Sequence, residues 1–189
     1  MKNLNLILGV ALLSSSIASA GLLTYTETVV GSGSFDAISF SGQTVTLTET
    51  ADTSGITLPG AGVYELPGTV TVTVPGIGTG TFTDSMVVFS NQNGNADGGF
   101  FDNTNGNLVF NHNAAFATYA LATAIGPLSG TSFVDTTGTY ATTLGSFSFT
   151  SGATTATFTA VSAVPEPGTL GLLGIGLAAV VAGRRLLAR

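Results

Sequence analysis

The sequence predicts an all-β fold, an antiparallel sandwich of the jelly-roll kind, set between an N-terminal signal peptide and one short C-terminal transmembrane helix. Two observations predict the sheet: threonine alternates with apolar residues at period two, and Gly or Pro turns recur every ten residues or so. A third sets the ends apart. All four basic residues (Lys2, Arg184, Arg185, Arg189) lie in them, and none lies between Gly21 and Pro167. The predicted organisation is therefore 1–20, 21–163 and 164–189.

Met1 to Ala20 has the parts of a secretory signal peptide: Lys2, an apolar run from Leu6 to Leu13, and Ala18-Ser19-Ala20 as a small-x-small site before Gly21. From Gly21 the period is two. Thr69 to Val74 is the clearest strand, with Val70, Val72 and Val74 on one face and three threonines on the other, bracketed by Pro67-Gly68 and Pro75-Gly76. Further strands are expected at Thr24–Val30, Ser34–Ser41, Thr44–Thr50, Ser85–Ser90, Asn107–Asn111, Thr131–Asp135, Thr139–Thr150 (whole or broken at Gly145) and Thr154–Val161. Asn113 to Ile125 is Ala-rich enough for a helix, but its interleaved Phe116, Tyr119 and Leu121 favour a strand. The twelve Phe should fill the space between sheets. Ser39–Ala51 and Ser148–Ala160 share composition rather than a repeat. Threonine ladders occur on ice-binding solenoids, but no regular repeat is present here, and Thr is simply a good strand former.

The C-terminal 26 residues are built differently. Val164-Pro165-Glu166-Pro167 cannot be helical, because each proline fixes φ and removes a donor. Thr169 to Gly183 carries no charge and would span about 22 Å as a helix, short of a hydrocarbon core of roughly 30 Å. Arg184 and Arg185 follow and should stay on the cytoplasmic side. Gly174, Ala178 and Ala182 form a small-xxx-small face on that helix. Together, Pro-Glu-Pro, apolar helix and Arg-rich end resemble the PEP-CTERM sorting signal of Gram-negative bacteria. The resemblance implies recognition by exosortase, a membrane transpeptidase that cuts near the Pro-Glu-Pro. The protein would sit transiently in the inner membrane and then pass to the cell surface or exopolysaccharide. The resemblance implies no activity for the rest of the chain.

Composition narrows that rest. Hydrophobic residues make up 44% and charged ones only 7%, and there is no Cys, hence no disulfide or thiol chemistry. All ten acids lie between Gly21 and Pro167 without a basic partner. Nucleic-acid binding has no electrostatic footing, and divalent cations are the natural counter-charge. Within Asn91 to Asn113, the pattern Asn93-x-Asn95-x-Asp97-Gly98 matches the opening of a calcium loop, with Asp102 as a further carboxylate. The Glu expected at its far end is Thr104, and Asn-Gly at 93–94 and 105–106 reads more strongly as hairpin turns. His112, the single histidine, has no nucleophile elbow near it and reads as an exposed loop residue. Asp97 with Asp102 could in principle form a glycosidase pair, though nothing selects it. The expectation is an exported, non-catalytic acidic β protein of the cell surface or matrix. A calcium-dependent binding module for sugars or proteins is the alternative, and an extracellular hydrolase the third reading.

Overall fold

The computed structural model describes residues 21–163, which form an antiparallel all-β domain. The long strands β1 (Leu22–Phe35) and β2 (Ile38–Asp52) make a hairpin, followed by the short β3 (Thr57–Gly60), β4 (Val63–Gly68), β5 (Val70–Val74) and β6 (Gly78–Thr81). A meander of β7 (Met86–Asn91), β8 (Asp97–Asp102) and β9 (Gly106–His112) comes next, then β10 (Ile125–Val134), β11 (Tyr140–Thr142) and β12 (Gly145–Ser162). Two 3₁₀ turns, η1 (Thr53–Gly55) and η2 (Ala114–Thr118), complete the set.

Two stacked sheets were expected; the strands instead share one ladder. Its order is β3-β4-β7-β8-β9-β10-β12-β1-β2-β5-β6, with β11 on β12, and the sheet curls into a half-barrel. The reason lies in β1, β2 and β12, which run for 14, 15 and 18 residues. They are long enough to serve both halves of the fold. Bulges at Val29/Gly31 and Ser32/Gly33 bend β1 without breaking it. At one end the sheet closes into a ring, because Phe82 after β6 bridges Thr142 of β11. Thr83 N–H donates to Ala141 O at 3.0 Å and Thr143 N–H to Thr81 O at 2.8 Å, sealing that closure.

The other end stays open and is plugged from within. Asn113 to Ala124 is neither the expected strand nor an α-helix. Asn113 caps η2 by accepting from Ala115 N–H, and Phe116, Tyr119 and Leu121 are buried inside the curl. Tyr25 O–H donates to Leu121 O at 2.6 Å, and Ser90 O–H to Tyr119 O at 3.0 Å. These bonds satisfy a backbone that has no ladder of its own.

The core follows the two ends. In the ring, Phe147 packs edge-on to Phe35 at 5.6 Å and to Phe149 at 4.9 Å, with Phe40 stacked on it at 6.1 Å. Under the plug, Phe158 meets Phe116 at 5.3 Å and Tyr25 at 6.4 Å. The twelve Phe do not all fill the interior: eight join the core, while Phe89, Phe101, Phe110 and Phe133 stand outside it. Other strand readings also shift. Ser34–Ser41 straddles the β1–β2 turn, where Asp36 and Ala37 take positive φ. Thr139–Thr150 and Thr154–Val161 overlap β11 and one continuous β12, and Ser39–Ala51 and Ser148–Ala160 prove to flank β1 on either side.

Truncating Phe147→Ala should cost about 3–5 kcal/mol in denaturant unfolding, as for a large buried ring. Thr73→Ala, facing out, should cost under about 1 kcal/mol. Equal losses would contradict the inward placement of Phe147.

Candidate functional site

The outer face of β4, β7, β8, β9 and β10 carries the single histidine with two carboxylates, Asp97 and Glu65. Strand register lays them in rows. Val63, Asn91, Asp97, His112 and Thr131 form one row, and Glu65, Phe89, Gly99, Phe110 and Phe133 the next. Between the rows lies an open cleft of about 190 Å³, lined by Glu65, Phe89, Asn91, Asp97 and Phe110 together with Val63, Phe101 and Asn107. Gly99 has no side chain to fill it, and a Cβ there would collide with the Val109 carbonyl oxygen and with Phe110. Phe110 stacks on Phe133 at 4.9 Å and meets the His112 ring edge-on at 5.1 Å.

His112 is not a free loop residue. It sits on β9 directly across from Asp97, and its Nδ1–H donates to Asp97 Oδ1. That bond holds the imidazole in one orientation and turns Nε2 away from the carboxylate. Among the described residues no serine hydroxyl is hydrogen-bonded to His112, so the triad is not completed. The Asp97–His112 pair was missed because Asp97–Asp102 was read as polar loop. Taken as a strand, it is folded by the Asn105-Gly106 turn so that Asp97 faces His112.

The proposed calcium ligands are dispersed. Asn93 and Asn95 are exposed in the β7–β8 turn, where Asn93 N–H donates to Asn91 Oδ1 and Asn93 Nδ2 donates to Ala61 O. Asp97 and Asp102 stand at opposite ends of β8, five residues apart, hence about 17 Å along the strand and on opposite faces. Asp102 is buried and accepts from Thr104 N–H, Asn105 N–H and Asn105 Nδ2, so it organises the β8–β9 turn. One ion cannot take both carboxylates, and the same separation rules out a glycosidase pair. Among the described residues no three His, Cys, Asp or Glu side chains cluster as a metal site.

Two other acids, which sequence reading passed over, are more unusual. Glu27 on β1 and Glu49 on β2 face inward, are fully enclosed, and leave all four carboxyl oxygens without a hydrogen bond of ordinary geometry. Burial pushes Glu49 up to about 8 from an ordinary 4.5; the Val88 N–H faces it and offsets part of that shift. Burial also raises Glu27 well above the usual carboxylate range, against a smaller opposing effect of the neighbouring Asn111 carboxamide. Asn111 Oδ1 is itself unpartnered, and a protonated Glu27 has an O–H to offer it. Pro67-Gly68 at the end of β4 lies against Glu49, and any side chain at Gly68 would collide with the Glu49 carboxyl. Period-two patterning places positions 27 and 49 on the inward faces of β1 and β2, alternating with outward threonines.

The sign of the pH dependence follows. Below about 4.5 both folded and unfolded states hold the Glu49 proton, and the stability is complete. Between 4.5 and about 8 only the folded state keeps it, so each pH unit costs about 1.4 kcal/mol; the loss levels off above 8. Glu27 acts in the same direction. Asp135 acts oppositely: burial raises it, but bonds from Tyr140, Thr137 and Gly138 outweigh this and lower it, so its contribution fades in strong acid. Thermal melting of the full chain should therefore peak near pH 4–5 and fall toward 8, and Glu49→Gln should flatten the decline. A melting temperature that rises from pH 5 to 8 would refute the neutral-acid assignment. Calcium and magnesium at equal millimolar concentration should shift melting equally, and a calcium-selective, saturable shift would contradict the dispersed geometry.

The predicted signal peptide with Ala18 and Ala20, the predicted helix at about 169–183, and Val164, Pro165, Glu166, Pro167, Arg184 and Arg185 lie outside the described residues. Among the described residues no helix is long and apolar enough to cross a membrane. Gly21, where cleavage was expected, begins the described chain, its N–H donating to Thr53 Oγ1 at 3.1 Å. At the other end Ala163 N–H donates to Leu22 O at 2.8 Å. No curated relative and no solved structure matches the chain. A family model does match immediately beyond the last strand: the chain carries, over residues 163–185, the PEP-CTERM protein-sorting motif.

Proposed function

We propose that the chain is an exported, non-catalytic β protein of the cell surface or surrounding exopolysaccharide, delivered through its C-terminal signal. The observation that carries this reading is the motif match at 163–185, which begins one residue after β12 ends at Ser162. On this reading the 1–20 segment directs export. The Val164–Pro167 turn is the processing point for an exosortase-type transpeptidase. The apolar stretch at about 169–183 holds the precursor in the inner membrane, with Arg184 and Arg185 on the cytoplasmic side.

The fold suits such processing. Leu23 pairs with Ser162, so both flanking segments leave from the same end of the adjacent β1 and β12. Every strand of the described ladder lies between the two expected cuts. Packing alone holds the domain, since there is no Cys to oxidise after export.

Intact-mass measurement on surface material should find Gly21 as the N-terminus and no Arg184-Arg185. Glu166→Ala should leave uncut precursor in the inner membrane. Recovery of surface protein with its full C-terminus would sink the sorting route.

A further inference from the structure

We propose that the fork between β2 and β4 is a gate into the plugged interior, latched by the neutral carboxyl of Glu49 and opened when that group loses its proton. The device is independent of the sorting route. Three observations point to it, and the first is topology. The run from Val63 to Val74 is nearly one strand, but it changes partner at Thr69. β4 ends its pairing with β7 at Gly68 and Met86, and β5 begins its pairing with β2 at Val70 and Glu49. Glu49 is therefore the last rung of the β2–β5 ladder. Beyond it β2 continues beside β1, while β4 pairs with β3 and β7. A ladder opens most readily from its end rung.

The second observation is the cover. Pro67, Gly68 and Thr69 are exposed, whereas Glu49 is 1% exposed. A Cβ on Gly68 would come within 2.2 Å of Glu49 Oε1, so this thin strap lies directly on the carboxyl. The third is the lack of a partner for charge. Tyr25 faces Glu49 from β1, but its O–H is spent on Leu121 O of the plug. Glu27, one inward position further along β1, would only repel a second carboxylate. Val70 of β5 and Leu66 of β4 carry nothing titratable, and Glu65 of β4 lines the outer cleft. From β7 comes only the Val88 N–H, and Tyr119 of the plug neighbours Tyr25. His112 stands on the outer face, and no Lys or Arg occurs in residues 21–163. An ionised Glu49 therefore needs water. Lifting the strap supplies it without parting β1, β2 and β12.

The sign follows from the burial that holds this acid up to about 8 rather than 4.5. Below 4.5 the closed and open forms both keep the proton, and the latch has its full strength. Between 4.5 and about 8 only the closed form keeps it, so opening gains about tenfold per pH unit; above 8 the gain stops.

The test is hydrogen exchange of the full chain in dodecyl maltoside, read by mass spectrometry on peptic peptides and corrected for the intrinsic rate at each pH. Amides of 65–70 should exchange through an opening that leaves those of 24–29 and 156–160 protected. Their protection should fall about 50-fold from pH 6 to pH 8. Glu49→Gln, similar in shape but unable to ionise, should abolish that fall, and Glu65→Gln on the outer face should keep it. The gate is refuted if 65–70 exchange no faster than 24–29 and 156–160 at every pH, because only whole-domain unfolding then frees the carboxyl. It is equally refuted if the protection of 65–70 does not change with pH, or if it falls as steeply in Glu49→Gln as in the parent. The first two of these outcomes need no variant, so they decide the matter even where Glu49→Gln does not fold.

Discussion

A domain without a single lysine or arginine cannot neutralise a carboxylate by pairing it, and this constraint shapes the structure from the core outward. Exposed acids such as Asp36 rely on water, and three solutions serve the more enclosed ones. Asp102 and Asp135 are surrounded by backbone and side-chain donors within tight turns. Asp97 takes the single histidine. Glu27 and Glu49, enclosed and without a hydrogen bond of ordinary geometry on any carboxyl oxygen, are held as neutral acids. The last solution lowers surface charge too. Two of the ten acids counted in the sequence carry no charge once folded at mildly acid pH, so the self-repulsion suggested by composition is overstated.

The same economy explains the single sheet. Two stacked sheets each need chain enough to cover a face, whereas a curled sheet covers itself and leaves fewer edges to protect. Long β1, β2 and β12 make the curl possible, and bulges give them the bend. The phenylalanines of the ring then lock one end, while η2 and the residues after it fill the other. Glu49 occupies the place where β4 approaches β2 across the curl. Its neutral state is thus part of how the open side stays packed.

Much of this was legible in the sequence. The Thr-Val alternation of Thr69–Val74 read directly as β5, and the inward faces of β1 and β2 follow the same period. What sequence could not supply was long-range pairing. Nothing local says that β12 belongs between β10 and β1. Other misses have definite physical causes. The β1–β2 turn uses Asp36-Ala37 at positive φ, where Gly or Asn would have announced it. β8 was hidden because Asp97-Gly-Gly and Asp102 made a strand look like loop, which concealed the Asp97–His112 pair and the outward Phe101. The Asn-Gly signals, by contrast, were right as turns, and the β8–β9 turn takes up both oxygens of Asp102.

The outer face divides into two unlike halves. Across β12, β1, β2, β5 and β6 it is threonine in register: Thr157, Thr28, Thr46, Thr73 and Thr79 in one row, Thr159, Thr26, Thr48, Thr71 and Thr81 in the next. Hydroxyl pairs such as Thr73 with Thr79 at 2.8 Å bind that half to itself. Neighbouring strands rotate by about 20–25° each, so five of them cannot present a flat lattice to a crystalline surface, and the array is a solvated β face. The aromatic half is different. There Phe89, Phe110 and Phe133 stand outside the core cluster and pack on one another, Phe110 against Phe89 at 6.0 Å and against Phe133 at 4.9 Å. The aromatic half is thus held by ring contacts across β9 and β10, where the other half is held by paired hydroxyls.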